Sequence, residues 1–386
     1  MRSRRLCLSL VAVALVASAT FLSTATDAAT PAERTASVEV AAAWLADRFE
    51  PGGYIADLNG DPDFANTAQS ALALAAAASQ ESTFDVAVAF LEANVNDYVA
   101  PGGGDDSVGA LGYLLLLADA AGIPGTDFGG EDLVARLQGT LGDLEPGLYG
   151  ASDPTFDGVY RQGLAVLGLV AHGVAPDTSA TEWLTDQQCG ADSPPDAEGG
   201  WEAYRADTGV PCGPPDPISF TGPDSNSTAL AVQALASLGA PPVPGGLAFL
   251  DATQADNGGW AFIDGLEVDP NSTALVIQAI VSGGEDPDGG RWRQTGGSAY
   301  ESLMAWQIMS GDPTDVGGFA SPFSDGFADL IATQQAVWGV AGLAFPFGPV
   351  VFGGPDGPDG PDESVATTDT SDGATAGATT RPRFTG

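Results

Sequence analysis

The sequence contains no lysine, and its 12 arginines face 51 aspartate and glutamate residues, so that the formal charge is −39 at pH 7. Nucleic-acid binding requires a basic surface, and an anionic membrane would repel a surface this acidic. The composition therefore predicts no nucleic-acid partner. Carboxylates at this density keep an exported protein soluble.

Histidine and cysteine are nearly absent as well. His172 is the sole histidine, and the three cysteines form no C-x-x-C pair, so the sequence predicts no metal site. Cys7 lies in an N-terminal apolar segment, which leaves Cys189 and Cys212 on either side of a Gly/Pro-rich insert. In an oxidising compartment this pair is expected to form a disulfide, with two free thiols as the alternative.

Residues 1–29 have the pattern of a secretory signal peptide. Three arginines within residues 2–5 precede an apolar segment over residues 6–22, and small residues at 25–29 supply a cleavage site. The mature chain is therefore expected to be secreted or associated with the cell surface, without membrane insertion. At the other end, residues 349–386 are rich in Pro, Gly, Asp and Thr and are predicted to be a disordered tail. The sequence leaves the role of the final six residues open.

Internal repetition is the strongest organising feature of the region between these ends. Six times, an apolar helical segment is followed by a Gly-rich turn and a second apolar helical segment. Glycine permits the positive φ that such turns need, and the aromatic residue that usually follows can pin the turn against the helices. The turns are Gly52-Gly53-Tyr54, the degenerate Gly102-Gly103-Gly104, Gly147-Leu148-Tyr149, Gly199-Gly200-Trp201, Gly258-Gly259-Trp260 and Gly317-Gly318-Phe319.

The two sets of helical segments differ in their polarity. The first segments are predicted at 34–49, 83–96, 130–143, 177–188, 245–255 and 298–310, and they carry charges that face water. The second segments, at 66–80, 106–121, 158–173, 226–239, 271–283 and 328–344, are apolar all round and so are buried on all sides. This pattern predicts an all-α protein, an α6/α6 toroid over residues 30–348 with inner and outer helix rings, which is expected to be a monomer.

The hairpins and turns resemble the terpenoid cyclase and protein prenyltransferase toroid superfamily, which includes cobalamin carriers. The stretch Gln254-x-x-x-Gly258-Gly259-Trp260 is similar to the repeat of squalene cyclases. The resemblance covers about residues 34–347 and implies the toroid fold. It also implies activity on polyprenyl substrates, or a corrinoid as the ligand of a carrier.

The residues that would carry the superfamily's chemistry are replaced in this chain. Class II cyclases have an Asp-x-Asp-Asp-Thr-Ala motif whose central aspartate protonates the substrate, and the matching stretches begin at Asp224 and Asp269. Asn226 and Asn271 stand at the place of the central acid, and an amide cannot donate that proton. The zinc triad that the resemblance to prenyltransferases implies cannot be assembled from one histidine and a disulfide.

Two groups of side chains are candidates for a ligand site. Acidic residues stand before the inner helices, where they form either a ring of carboxylates or simple helix caps: Asp61, Asp63, Asp105, Asp106, Asp153, Asp157, Asp224, Asp269, Asp325 and Asp329. Asn226 and Asn271 are also candidates for the ligand site, and their place before apolar helices is interpreted as that of helix caps. The second group consists of polar or aromatic residues on inner helices, which either line the lumen or bond to neighbouring helices: Tyr113, Tyr160, Arg161, Gln233, Gln278, Gln335 and Trp338. His172 is expected to be a packing residue.

These observations favour an exported, non-catalytic binding module that holds a small apolar or amphipathic ligand in the lumen, without a cofactor. The alternative is an enzyme related to squalene or terpene cyclases or to prenyltransferases, in which Asp224 or Asp269 would serve as the acid. A third reading is a surface module whose lumen is filled by its own side chains.

Overall fold

The computed structural model describes residues 28–150, 158–239 and 245–353. Most of the predicted signal peptide, the tail after residue 353, and Asp153 and Asp157 lie outside these ranges. The helices are α1 (Pro31–Ala46), α2 (Phe64–Ala76), α3 (Glu81–Ala93), α4 (Val95–Val99), α5 (Val108–Ala120), α6 (Leu133–Gly139), α7 (Val159–Ala171), α8 (Thr178–Asp186), α9 (Ser225–Ser237), α10 (Gly246–Ala252), α11 (Pro270–Ser282), α12 (Ala299–Met304) and α13 (Leu330–Ala341).

Strands contribute little to the described structure. Two antiparallel pairs of two-residue strands lie in loops between helices. They are β1 (Ile55–Ala56) with β2 (Pro62–Asp63), and β3 (Arg293–Gln294) with β4 (Gly297–Ser298). None of the described helices has the length and apolarity needed to cross a bilayer.

Helices α2, α5, α7, α9, α11 and α13 form the inner ring. Each packs against the next, and α13 packs against α2, so the ring closes. Their close approach depends on small residues: a Cβ built on Gly112 would meet the Leu164 backbone at 3.0 Å, and one on Gly163 would meet Leu230 at 3.1 Å. Helices α1, α3, α6, α8, α10 and α12 pack on the outside of this ring. The predicted all-α toroid is confirmed.

Several outer helices are shorter than the sequence pattern predicted. The segment predicted at 298–310 is helical only over Ala299–Met304, and the one predicted at 130–143 only over Leu133–Gly139. In both cases the following residues fold into the Gly-rich turn instead. The backbone N–H of Ile308 donates to the carbonyl of Gly318, and that of Gly142 donates to Leu148, each at a distance of 2.8 to 2.9 Å.

Four of the Gly-rich turns are each hydrogen-bonded to an inner helix through a buried threonine. Thr228 Oγ1 accepts a hydrogen bond from the backbone N–H of Trp201 at 2.9 Å and donates to the carbonyl of Asp224 at 2.7 Å. Thr67, Thr273 and Thr333 bind Ile55, Trp260 and Phe319 in the same way. In α7 the side chain of Gln162 takes this place, and its Oε1 accepts from the N–H of Tyr149 at 2.9 Å.

The segment after α13 fills the middle of the ring. Gln278 on α11 donates to the carbonyl of Leu343 at 2.9 Å, and the backbone N–H of Phe345 donates to Gln233 on α9 at 3.3 Å. The ring of Phe345 packs against Trp338 on α13, with centroids 5.2 Å apart, and Trp338 lies 6.4 Å from Tyr113 across the interior. The lumen is therefore occupied by side chains at this level.

Packing continues past residue 348, where the sequence pattern placed the end of the folded body. The backbone N–H of Val350 donates to the carbonyl of Ala120 at 2.8 Å, and the ring of Phe352 lies 5.1 Å from that of Phe84. The packed structure thus extends beyond residue 348, because Val350 bonds to the end of α5 and Phe352 packs against the first turn of α3.

Candidate functional site

The inner helices begin at one end of the ring, which we call the mouth. Gln334 in the second turn of α13 donates to the carbonyl of Asn66 and to Ser70 Oγ, both in the first two turns of α2. A cavity of about 450 Å³ opens at this end between α2, α5 and α7. Its lining consists of Ala65, Gln69, Tyr98, Ser107, Gly109, Ala110, Tyr113, Tyr160, Arg161 and Leu164.

Three of the residues predicted from the sequence meet in this mouth cavity. The hydroxyls of Tyr113 and Tyr160 lie 3.1 Å apart, and Arg161 follows Tyr160 on α7. The Arg161 side chain passes close to α5, where a Cβ on Gly109 would come within 3.1 Å of its Nε. Glycine at position 109 therefore makes room for the guanidinium arm.

The phenols of the cavity remain protonated at neutral pH. Burial raises the pKa of Tyr113 well above its usual range, and the nearby Tyr160 raises it further. Burial likewise raises the pKa of Tyr98 and of Tyr160. These groups can donate and accept hydrogen bonds in a largely apolar surrounding, but they do not supply a base.

The sequence interpretation missed Gln69, Tyr98 and Ser107 in the lining. Ser107 caps α5, with its Oγ accepting from the N–H of Ala110 at 3.4 Å, and this cap was visible in the sequence. Tyr98 lies on the short helix α4, whose position could not be read from a helical period. It continues a row of aromatic rings through Phe64 and Phe90 to Tyr54, with centroids 5.1 to 6.0 Å apart.

Asp224 and Asp269, two of the predicted site residues, serve as helix caps. Asp224 Oδ1 accepts from the N–H of Ser227, and Asp269 Oδ1 accepts from that of Ser272, both at 2.7 Å. Burial raises the pKa of Asp224 to about 7 and also raises that of Asp269. Neither side chain belongs to the lining of the mouth cavity.

The other described acids near the mouth also have local roles. Asp63 and Asp329 cap α2 and α13 through their Oδ1 atoms, each at 3.0 Å. Asp106 pairs with Arg136 at 2.5 Å. The contacts of these residues support the capping interpretation over a ring of ligand-binding carboxylates.

Asn226 and Asn271 are not caps, and that interpretation was wrong. Because Asp224 and Asp269 hold the cap positions, the two asparagines are the second residues of α9 and α11. Both are half-buried, and the amide oxygen of Asn226 accepts from Ser225 Oγ at 3.3 Å.

None of Gln233, Gln278, Gln335 and Trp338 lines the mouth cavity. Gln233, Gln278 and Trp338 instead contact residues 343–345 in the filled interior. The two amides that hold residues 343–345 each keep one buried atom, Gln233 Nε2 and Gln278 Oε1, without a partner among the described residues. Gln335 Oε1 and Trp338 Nε1 are in the same situation.

His172 packs between helices as expected. Its Nδ1 accepts from the N–H of Gly125 at 3.2 Å, which makes Nε2 the donor to the carbonyl of Leu115 at 2.9 Å. Cys189 and Cys212 form the predicted disulfide, with their Cα atoms 5.5 Å apart. Within the described residues, the one cluster with three metal-ligating side chains is these two cysteines with Glu202, and its sulfurs are bonded to each other.

Comparison with solved structures identifies the same fold. The type II terpene cyclase MstE from Scytonema matches with a TM-score of 0.55 and 14% identity, over 80% of this chain and 97% of the cyclase. An inactive variant of the α-1,6-mannanase GH76A of Salegentibacter sp. HEL1_6, bound to α-1,6-mannotriose, matches with a TM-score of 0.53 and 11% identity over 80% and 98%. A protein from Actinoplanes matches with a TM-score of 0.50 and 17% identity, over 80% of this chain and 98% of the Actinoplanes protein.

At these identities the comparisons establish the α/α-toroid fold and nothing about activity. No protein-family profile matches the chain, and neither does any curated protein sequence.

Proposed function

We propose that this chain is an exported, non-catalytic binding module that holds a small apolar or amphipathic molecule in the mouth cavity. The observation that carries the proposal is the composition of the lining. Alanine, glycine and leucine provide apolar walls, and a few polar groups come from three tyrosine hydroxyls, from Gln69 and Ser107, and from the guanidinium of Arg161. Small-molecule sites share this composition, and a volume of about 450 Å³ falls within their usual range of roughly 300–1,000 Å³.

The absence of an acid from the described lining favours binding over cyclisation. Protonation of an alkene or epoxide needs a strong carboxylic acid in contact with the substrate. The described lining contains no aspartate or glutamate, and its phenols have raised pKa values. The interior beyond Tyr113 is filled by Trp338 and Phe345, which restricts a ligand to the mouth.

Native mass spectrometry of the full-length protein from its own host tests the proposal. Ala65 is an exposed residue of the lining, so Ala65→Trp should fill the cavity without disturbing the core. Ala36→Trp, at an exposed position of α1, is the matched control. We expect a retained mass on the wild type and on Ala36→Trp and its loss from Ala65→Trp.

Either of two results would overturn the proposal: a wild type that carries no ligand, or an Ala65→Trp variant that retains it. The mass also identifies the ligand class, including a corrinoid, which has visible absorption.

The alternative is a cyclase-like enzyme, and the buried Asp224 is the observation in its favour. A carboxyl whose pKa lies near 7 is neutral in mildly acidic solution and could donate a proton. The assay is product detection by gas chromatography after incubation with squalene or oxidosqualene. We expect no product from the wild type, Asp224→Asn or Asn226→Asp. Turnover by the wild type that Asp224→Asn abolishes would replace the binding proposal with the enzyme.

A further inference from the structure

Large apolar side chains project into solvent from three turns at the mouth. Their exposed fractions run from 62% for Phe327 to 106% for Leu58. A sixth residue, Ile331 in the first turn of α13, is 47% exposed. We call this set the apolar rim: Leu58, Ile218, Phe220, Phe323, Phe327 and Ile331.

The turns that carry the rim are held in place by hydrogen bonds. The turn at 216–221 is closed by backbone bonds in both directions between Asp216 and Thr221, and Asp216 Oδ1 also accepts from the N–H of Ile218 at 2.9 Å. Phe220 has a φ of 54°, in the left-handed region that a bulky residue rarely adopts. Backbone strain of this kind concentrates at functional sites.

The other two turns are equally well braced. In the turn at 321–327, Ser324 Oγ accepts from the N–H of Ser321 at 2.9 Å and donates to the carbonyl of Phe327 at 2.7 Å. In the turn at 57–61, Asp57 Oδ1 accepts from the N–H groups of Asn59 and Asp61 at 2.8 and 2.9 Å. The apolar side chains are therefore displayed on fixed supports.

The three turns lie at the same end of the ring. Each precedes an inner helix, namely α2, α9 or α13. The first and third turns flank one surface depression, which is lined by Ile55 and Ala56 on one side and Ala328 and Leu330 on the other. Pro217 in the second turn contacts the loop before α11, where a Cβ on Gly265 would meet it at 3.2 Å. Two turns of the rim therefore stand together at the starts of α13 and α2, and the third stands at the start of α9 and reaches the loop before α11.

The turns that carry the rim bear charges of one sign, whereas the depression between two of them is also lined by Glu50 and by Arg48, whose guanidinium lies over the Trp44 ring. The sequences of the three turns contain Asp57, Asp61, Asp216 and Asp325 and no arginine or lysine. Hydrogen bonds from backbone N–H groups lower the pKa of Asp57 and of Asp216, so both are ionised at neutral pH. A surface that alternates apolar side chains with carboxylates complements an apolar surface carrying positive charge.

We propose that the apolar rim is the docking surface for a partner protein, which presents a basic amphipathic segment. The rigid turns favour a protein over a lipid surface, because pre-organised side chains reduce the ordering cost of binding a partner of defined shape. A second copy of the chain would bring carboxylates against carboxylates. This inference does not depend on a ligand in the mouth cavity.

The test measures peptide binding to the full-length chain by isothermal calorimetry. The probe is a helical peptide of leucine and lysine, about 18 residues long, with its apolar residues on one face. A peptide in which serine replaces every leucine has the same charge and controls for simple attraction to an acidic protein. The rim variant is Phe220→Ser/Phe323→Ser/Phe327→Ser. Val351→Ser is the control, since Val351 is 74% exposed and its neighbour Val350 bonds to the C-terminal end of α5, opposite the mouth.

We expect the rim variant to bind the leucine–lysine peptide at least about tenfold more weakly than the wild type, while Val351→Ser binds normally. Its circular dichroism and melting temperature should match the wild type, because the substituted rings are exposed. Equal binding of the two peptides by the wild type, or unchanged binding of the leucine–lysine peptide by the rim variant, would contradict the proposal. Flotation of the wild type, but not the rim variant, with phosphatidylcholine vesicles would assign the rim to a lipid surface instead.

Discussion

Thr228 and Trp201 are joined by a hydrogen bond that spans 27 residues, with the backbone N–H of Trp201 donating to the buried hydroxyl of Thr228 at 2.9 Å. The same hydroxyl donates to the carbonyl of Asp224, so that one side chain connects a Gly-rich turn to the first turn of an inner helix. Thr67, Thr273 and Thr333 repeat the arrangement. This contact explains why Asp-x-x-x-Thr recurs at the start of these helices.

Replacing the hydroxyl should therefore destabilise the fold. Thr228→Val keeps the shape of the side chain but leaves the buried N–H of Trp201 without an acceptor, and we expect a loss of about 1–3 kcal/mol in the free energy of unfolding. Thr185→Val is the control, since Thr185 is exposed and its hydroxyl bonds only within α8. Its effect should stay within about 0.5 kcal/mol. Urea unfolding followed by circular dichroism measures both, and equal losses would contradict the explanation.

Asp224 should make stability fall as the pH rises. Burial raises the pKa of its carboxyl from 3.8 to about 7, so the folded state binds the proton more tightly than the unfolded state does. The stability that this proton confers is present below about pH 4 and is lost as the pH rises to about 7. Asp224→Asn keeps a capping oxygen without a charge. We expect it to exceed the wild type in stability at pH 8, by up to about 4 kcal/mol, and to match it near pH 4.

Asp177 should change the stability with pH in the opposite direction. It is an exposed residue that caps the outer helix α8, and hydrogen bonds from the hydroxyl and N–H of Ser179 lower the pKa of its carboxyl. Its contribution is present above about pH 4 and is lost as the pH falls below that value, so Asp177→Asn should be slightly less stable than the wild type at pH 8. Thermal unfolding from about pH 2 to pH 8 measures both variants. A gain at pH 8 from Asp177→Asn, or none from Asp224→Asn, would contradict the assignment.

Two truncations test where the folded body ends. A chain that stops after Gly353 keeps the contacts of Val350 and Phe352, whereas a chain that stops after Gly348 loses them. Because the shorter chain uncovers apolar surface on α3 and α5, we expect its melting temperature to be several degrees below that of the longer chain. Equal melting temperatures would place the boundary at residue 348.

The disulfide should stabilise the insert before α9. Cys189 and Cys212 are 23 residues apart, and closing a loop of that size is worth about 3 kcal/mol in the chain-entropy account. We expect the free energy of unfolding of Cys189→Ala/Cys212→Ala, measured by urea unfolding, to be about 3 kcal/mol below that of the wild type. Alkylation of the native protein without reductant, followed by mass mapping, should leave both residues unlabelled. Labelling of both thiols would show that the bond does not form.

The fold could be predicted because its signals are local and repeated. Helices that are apolar all round, such as α5 and α11, have one stable place in a toroid, and their ends lie within a few residues of the predictions. Tyr113, Tyr160 and Arg161, which the sequence grouped with other polar and aromatic residues of the inner helices, meet in the mouth cavity because they stand in the first two turns of adjacent helices.

The features that could not be predicted depend on how each helix is rotated about its axis and on segments that lack a helical repeat of apolar residues. The sequence could not reveal that Asp224 and not Asn226 occupies the cap, because both residue types favour that position. It could not place Tyr98 at the cavity, because α4 is only a turn long. The predicted helical segment ran to residue 344, and residues 345–347 carry no helical pattern, so nothing in the sequence indicated that Phe345 fills the interior against Trp338.

The position of Phe345 bears on the order in which the protein can fold. The closed ring of inner helices also joins distant parts of the chain. Gln334 on α13, for example, donates a hydrogen bond to Ser70 on α2, which lies 264 residues away in the sequence. A chain synthesised from its N-terminus can form single hairpins early, but its centre stays empty until almost the last described residue has emerged. Contacts of such long range slow folding, and incomplete rings expose apolar helices that aggregate. Fragments that stop before Phe345 should therefore be insoluble, however many repeats they contain.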